Sequence, residues 1–153
     1  MEVTIVSSVP RPDEVGRLLR DLPEWFGIEQ SIRSYVDAAR TLPSTFALRD
    51  GEVVGACVVR HHTAVAAEIE VLAVARTLHR QGVGRRLVQT VESGLREGGV
   101  VLLQVKTFGP SGVSEEYERT RAFYASMGFL PLEERTDIWG TENPCLISVK
   151  PLT

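Results

Sequence analysis

Cysteine is nearly absent. Cys57 and Cys145 are the only two in 153 residues, and both fall in apolar, strand-like runs without C-x-x-C spacing. They are expected to be small buried hydrophobes in a reducing cytoplasm. Histidine is equally scarce, with His61, His62 and His79 alone. His61 and His62 are adjacent in an extended stretch, so they face opposite ways. No His/Cys/Asp/Glu set has metal-ligand spacing, so no metal is expected, and no Ser-His-Asp arrangement is visible. Lysine occurs twice against fifteen arginines, the net charge is −3, and no basic tail or face points to nucleic acid. No apolar run approaches the roughly 18 residues of a membrane span. Met1-Glu-Val-Thr does not begin a signal peptide, so a cytoplasmic location with no membrane partner is expected. Repeats and low-complexity segments are lacking too. What remains is 43% apolar and 24% charged residues, the composition of an ordinary globular protein. The whole chain, 1–153, is long enough for one domain with a proper core.

Hydrophobic periodicity supplies the elements. Val3 to Ser8 reads as a strand, stopped by Pro10 and Pro12. Asp13 to Leu22 reads as a helix with acidic residues at its start, and Pro23 to Gly27 as a turn. Ser31 to Leu42 carries Ile32, Tyr35, Val36 and Ala39 at helical spacing. Phe46 to Arg49 and Val53 to Arg60 flank Asp50-Gly51, a hairpin signal. Ala67 to Val74 is the next strand. A helix opening at Gly82 has apolar residues at Val83, Leu87, Val88, Val91 and Leu95 and ends at Gly98-Gly99. Val100 to Val105 reads as a buried strand, Gly109 to Ser114 as a loop and Glu115 to Met127 as a helix. Phe129 to Glu134 and Cys145 to Val149 close the chain. The order β-α-α-β-β-β-α-β-α-β-β implies an α/β (α+β) fold, with a mixed sheet and helices on both faces.

The most informative stretch runs from Glu68 to Gly84. A strand with two carboxylates enters a basic, glycine-containing loop that opens an amphipathic helix. The first N–H groups of a helix lack intrahelical partners, and with the helix dipole they form an anion site whose usual occupant is phosphate. Gly82 and Gly84 clear side chains from the approach, and Arg80, Arg85 and Arg86 add positive charge. Leu87 stands where the dinucleotide fingerprint needs its third glycine, and the P-loop's G-K-[ST] is absent.

His79-Arg80-Gln81-Gly82-Val83-Gly84 resembles the [RQ]-x-x-G-x-[GA] acyl-CoA loop of the GCN5-related N-acetyltransferases, with histidine at its first position. A second segment, Thr120-Arg-Ala-Phe-Tyr-Ala-Ser-Met-Gly-Phe129, resembles the family's A-x-x-F-Y-x-x-x-G-F. The asparagine often found seven residues before that tyrosine is Tyr117 here. The likeness covers roughly residues 45 to 150, and the element order is also the family's. It implies a GNAT-like, mostly antiparallel central sheet and acetyl-CoA as co-substrate. His79, Arg80, Gln81, Gly82, Val83, Gly84 and Arg85 would hold the diphosphate. Leu72, Ala73 and Val74 sit where the family's strand kinks and frees backbone groups for the pantetheine arm.

Amine acetylation needs a base for the ammonium proton and an acid for the departing thiolate. Glu68 and Glu70, two apart on a strand, point to one face, and like charges raise one member's pKa toward a useful base. By resemblance, Glu68 matches the base of the histone acetyltransferase branch and Glu70 an acidic position of bacterial small-molecule members. Tyr124 matches the tyrosine over the thioester sulfur and is the candidate acid. Trp25, Phe26, Tyr117 and Trp139 lie in or near connections that line the family's acceptor pocket. The acidic pair suggests a cationic small-molecule amine as partner, such as a polyamine, an aminoglycoside or an amino acid derivative, and a homodimer is compatible with the family. Direct attack in a ternary complex is expected, since neither cysteine has an activating neighbour. Two alternatives stand beside this. One is a non-catalytic acyl-CoA-binding module of the same fold. The other is a metal- or drug-binding protein of the glyoxalase/bleomycin-resistance type, which also carries F-Y-x-x-x-G-F but repeats a βαβββ unit.

Overall fold

The computed structural model describes residues 2–153; Met1, part of the terminal segment read above, lies outside them. Strand β1 (Thr4–Ser8) leads to helices α1 (Pro12–Arg20) and α2 (Glu29–Ala39), then to β2 (Ser44–Arg49), β3 (Glu52–His61) and β4 (Ala66–Val74). A 3-10 turn at Arg76–Leu78 precedes α3 (Val83–Glu97). After it come β5 (Leu102–Phe108), α4 (Glu115–Ser126), β6 (Leu130–Arg135) and β7 (Cys145–Pro151). This is the expected order. The strands form one seven-stranded sheet, β1-β2-β3-β4-β5-β7-β6, antiparallel throughout except for the parallel pair β4–β5. No internal βαβββ repeat is present among the described residues, so the glyoxalase-type alternative does not fit this topology.

Alternation along the strands sends side chains to two separate cores. On one face Cys57, Val59, Ile69, Leu103 and Val105 meet Leu87, Val88, Val91 and Leu95 of α3. On the other, Phe46, Ala56, Val58, Val71 and Ala73 meet Val15, Leu18 and Leu19 of α1 and Ile32 of α2. Leu19 and Leu87 are fully buried, each contributing about 1.5–3 kcal/mol of burial free energy. Pro12 opens α1, with Asp13 and Glu14 in its first turn and Arg17 and Arg20 in its last, matching the helix dipole at both ends. Asp50 and Gly51 both take positive φ (54° and 80°), as a two-residue hairpin turn requires.

One strand is displaced from its expected span. The apolar run Val100–Val105 predicts a strand there, but β5 covers Leu102–Phe108. Val100 is buried, yet its amide donates to the Leu95 carbonyl (2.9 Å) and so finishes α3. At the far end Lys106, Thr107 and Phe108 pair with Ile147, Leu146 and Cys145 of β7. That extension is not an apolar run because β4 no longer accompanies it.

The β4–β5 ladder runs from Ala66↔Leu102 to Ile69↔Val105 and stops. Just beyond, Val58 of β3 pairs with Val71 while Val59 pairs with Ile69, which leaves Glu70 as an extra residue in β4. A bulge bends its strand, and here it falls where β4 parts from β5. β4 then continues along β3 and β5 along β7, so the sheet opens into a wedge. Among the described residues, no helix is long and apolar enough to cross a membrane.

Candidate active site

The wedge holds a cavity of about 450 Å³, a size suited to a small-molecule site. Glu70 to Val74 of β4 form one wall and Val105 to Thr107 of β5 the other. The start of α3 closes one end, and α4 and the α1–α2 connection cover the opening.

At the α3 end, Arg80 (φ 65°) and Gly82 (φ 82°) adopt left-handed backbone conformations. Gly82 is the N-cap of α3 and no side chain caps it. A left-handed residue followed by a helical one turns successive N–H groups into a concavity that fits an anion, and the first amides of α3 have no helical carbonyl to reach. A Cβ built on Gly82 meets no protein atom within 4 Å, so the space before the helix is open. Arg80, Gly82, Val83, Gly84 and Arg85 all line the cavity, and Arg85 Nη2 donates to Ser126 Oγ of α4 at 3.2 Å. A diphosphate fits this donor set, which is cationic, rich in free amides and free of acidic side chains.

His79 also lines the cavity, but its Nε2 lies 2.6 Å from the Val74 carbonyl. Only a protonated nitrogen makes that contact, so the ring braces the end of β4. Leu72, Ala73 and Val74 do form the cavity wall. Gln81 does not line it, and its side-chain amide donates to the Thr77 carbonyl (3.1 Å).

Tyr124 lines the cavity and is buried, edge-on to Phe123 and Phe129 at 5.2 and 5.3 Å between ring centres. Burial pushes its phenol well above the usual tyrosine range, so it stays protonated. Across from it, Thr107 is buried with no hydrogen-bond partner for its hydroxyl. An orphaned polar group in a cavity wall is suited to a ligand.

The two carboxylates have different fates. Arg60 is the cross-strand partner of Glu68 and also bonds the Glu70 carboxylate, which puts both on one face as expected. Glu70 lines the cavity, and its Oε2 accepts from Arg60 Nε at 3.0 Å. Glu68 does not line it. It is buried, with His62 Nε2 at 2.7 Å from Oε1 and Lys106 Nζ at 3.3 Å from Oε2, and Gln104 Nε2 donates to Oε1 at 3.1 Å. Each member of the acidic pair thus has a cationic partner, Arg60 for Glu70 and Lys106 for Glu68.

Trp25, Phe26 and Tyr117 all line the cavity. The Trp25 indole donates to Thr120 Oγ1 (3.1 Å) and the Glu116 carbonyl (3.3 Å), and the Tyr117 hydroxyl donates to the Trp25 carbonyl (2.8 Å). Three bonds thus fasten the α1–α2 connection to α4, and the tyrosine that replaces the family's asparagine makes one of them. Trp139, in the β6–β7 connection, is 40% exposed and does not line the cavity; a connection far along the chain carries no signal of where it returns. Sequence reasoning missed Tyr35, Lys106, Thr107 and Arg119, which do. Tyr35 was legible only as one apolar position of a helix, and Lys106 and Thr107 lay beyond the apolar run taken as β5.

The family model for the acetyltransferase (GNAT) domain matches residues 43–131. The chain belongs to the GNAT acetyltransferase family. An uncharacterized N-acetyltransferase of Chlorobaculum tepidum is 34% identical over 84 residues, which is 55% of this chain and 47% of that protein; the match spans about half the length of that relative. A crystal structure assigned to the GNAT family from Desulfovibrio desulfuricans superposes with a TM-score of 0.82 at 22% identity, covering 99% of this chain and 100% of that one. A GNAT acetyltransferase from Elizabethkingia anophelis, solved with acetyl-CoA bound, gives 0.72 at 18% identity over 97% of each chain. At these identities the two structures establish a shared GNAT fold. In this GNAT chain, both motifs read from the sequence border the wedge: the glycine-containing loop at the start of α3, and the F-Y pair on α4.

Proposed function

We propose that the chain is an acyl-CoA-dependent N-acyltransferase that moves an acetyl group from acetyl-CoA to a primary amine of a small molecule. The observation that carries this reading is the wedge itself. It runs between strands that part at Ile69 and Val105, from an uncapped helix N-terminus to a wall bearing Glu70, Tyr124 and Thr107. The loop from His79 to Arg85 takes the diphosphate, with backbone amides as donors and Arg80 and Arg85 as counter-charges. Leu72, Ala73 and Val74 flank the pantetheine arm.

Transfer is direct, in a ternary complex. The amine nitrogen bonds to the thioester carbon and the carbon–sulfur bond breaks. The surplus amine proton passes to Glu70, the departing sulfur takes a proton from the Tyr124 hydroxyl, and the proton held by Glu70 returns through solvent to the Tyr124 oxygen as products leave. Glu68 is the positioning residue: it fixes Lys106 and His62 beside the cavity wall. A covalent relay through cysteine has no support here, because burial pushes the Cys57 and Cys145 thiols up to about 12 and about 11 and thiols attack as thiolates. Two free, buried cysteines also suit the reducing cytoplasm.

Acetyl-CoA-dependent release of free thiol, followed across a library of primary amines, tests the proposal. Turnover of at least one amine with formation of its N-acetyl product is expected. Tight acetyl-CoA binding with no turnover of any amine would instead favour the binding module of the same fold.

A further inference from the structure

We propose that the acceptor is a primary amine carried on an aromatic body, and that polycationic amines are poor substrates; this rests on the acyltransferase reading above. Two independent observations lead there. The first is charge. Among the cavity-lining residues Glu70 is the sole carboxylate, and Arg60 already holds it at 3.0 Å. Lys106, on the facing strand, is the residue after the last β4–β5 pair, as Glu70 is on its own. Lys106 is itself paired with Glu68 at 3.3 Å, so each carboxylate here already has its cation, and a polyamine or aminoglycoside would desolvate several ammonium groups with no free anion to meet them. A single amine meets the opposite situation. An apolar setting with no unpaired anion disfavours its ammonium form, which helps it shed the proton it must lose before attack.

The second observation is shape. Around Glu70 the cavity wall is aromatic. Tyr35 lies within the electrostatic reach of Glu70, Phe26 stands edge-on to Tyr35 at 5.9 Å, and Tyr117 sits 5.8 Å from Phe108 while bonding to the Trp25 carbonyl. The Phe26–Tyr35 pair is near a right angle and the Phe108–Tyr117 pair is tilted at 44°, and exposed ring faces and edges of this kind accept a further ring in offset or edge-to-face contact. The same wall offers a polyhydroxylated or multiply charged body few polar partners.

The test is initial-rate kinetics at saturating acetyl-CoA with 2-phenylethylamine, tryptamine, spermidine and kanamycin, run beside calorimetry of acetyl-CoA binding. The arylalkylamines should exceed the two polycations at least tenfold in kcat/KM. Tyr35→Leu should lower kcat/KM for tryptamine about tenfold through KM, with KM for acetyl-CoA unchanged. Arg60→Gln, at a half-exposed side chain, should narrow the ratio by favouring spermidine. Equal or better use of spermidine or kanamycin overturns the inference, as does acetyl-CoA binding with no turnover of either arylalkylamine. Loss of acetyl-CoA binding itself would strike the underlying acyltransferase reading first.

Discussion

Gly82→Ala separates stability from ligand binding, because the structure supplies a matched control. Gly82 (φ 82°) and Gly51 (φ 80°) share nearly the same left-handed backbone, and a Cβ on either meets no protein atom within 4 Å. Alanine at each position therefore carries only the backbone cost of a left-handed L-residue, about 1 kcal/mol. Their surroundings differ. Gly51 lies in the β2–β3 hairpin turn, whereas Gly82 lines the cavity at the uncapped start of α3. A methyl group there occupies the approach to the amides and removes on the order of one charge-assisted hydrogen bond, about 1.5–3 kcal/mol, or about 10- to 150-fold in affinity. Urea denaturation should show equal losses of stability for Gly82→Ala and Gly51→Ala. Calorimetry should show weakened acetyl-CoA binding for Gly82→Ala alone. Wild-type affinity in Gly82→Ala, at the same loss of stability as the control, would refute the assignment of the loop.

Glu70→Gln should lower kcat by about 100-fold with little change in KM for acetyl-CoA. Glu68→Gln should leave kcat nearly unchanged but cost about 1 kcal/mol in urea denaturation, since the partly exposed Lys106 loses its anion; the reverse pattern would exchange their roles. Tyr124→Phe should reduce kcat with little change in KM for acetyl-CoA, and the wild-type profile should show no alkaline fall from this buried phenol below pH 10; an unchanged kcat removes it from the mechanism. The Cys57 thiol, pushed up to about 12 by burial, makes stability fall above pH 9. There the unfolded chain releases this proton and the folded chain keeps it, at a cost of roughly 1 kcal/mol per pH unit up to the folded pKa, with no contribution below pH 9. Urea midpoints between pH 8.5 and 10.5 should fall less steeply in Cys57→Ala, and equal slopes would contradict the burial argument.

The element order was legible because α1, α2 and α3 carry apolar stripes and the Gly and Pro breaks are sharp, while α4, with Tyr124 as its one buried residue, was legible from its acidic start and the glycine that ends it. The loop at the start of α3 was legible for the same local reason: its glycines and arginines act through the backbone and charge of one short segment. What could not be read was registration between distant segments. The bulge at Glu70 depends on how β4 pairs with β3. Lys106 and Thr107 become strand residues only through β7, and Tyr35 becomes a cavity wall only once α2 lies over β4. The difference between Glu68 and Glu70, equivalent in sequence, comes from Arg60, His62, Gln104 and Lys106, none of which the local pattern identifies as a partner.

The central claim is that amides at the start of α3 hold the diphosphate of a coenzyme A thioester. Calorimetry comparing acetyl-CoA with acetyl-pantetheine, which lacks the diphosphate, tests it most directly. One-to-one saturable binding of acetyl-CoA, with acetyl-pantetheine far weaker, is the result expected. Equal affinities for the two, or no binding of acetyl-CoA by folded protein, would contradict it.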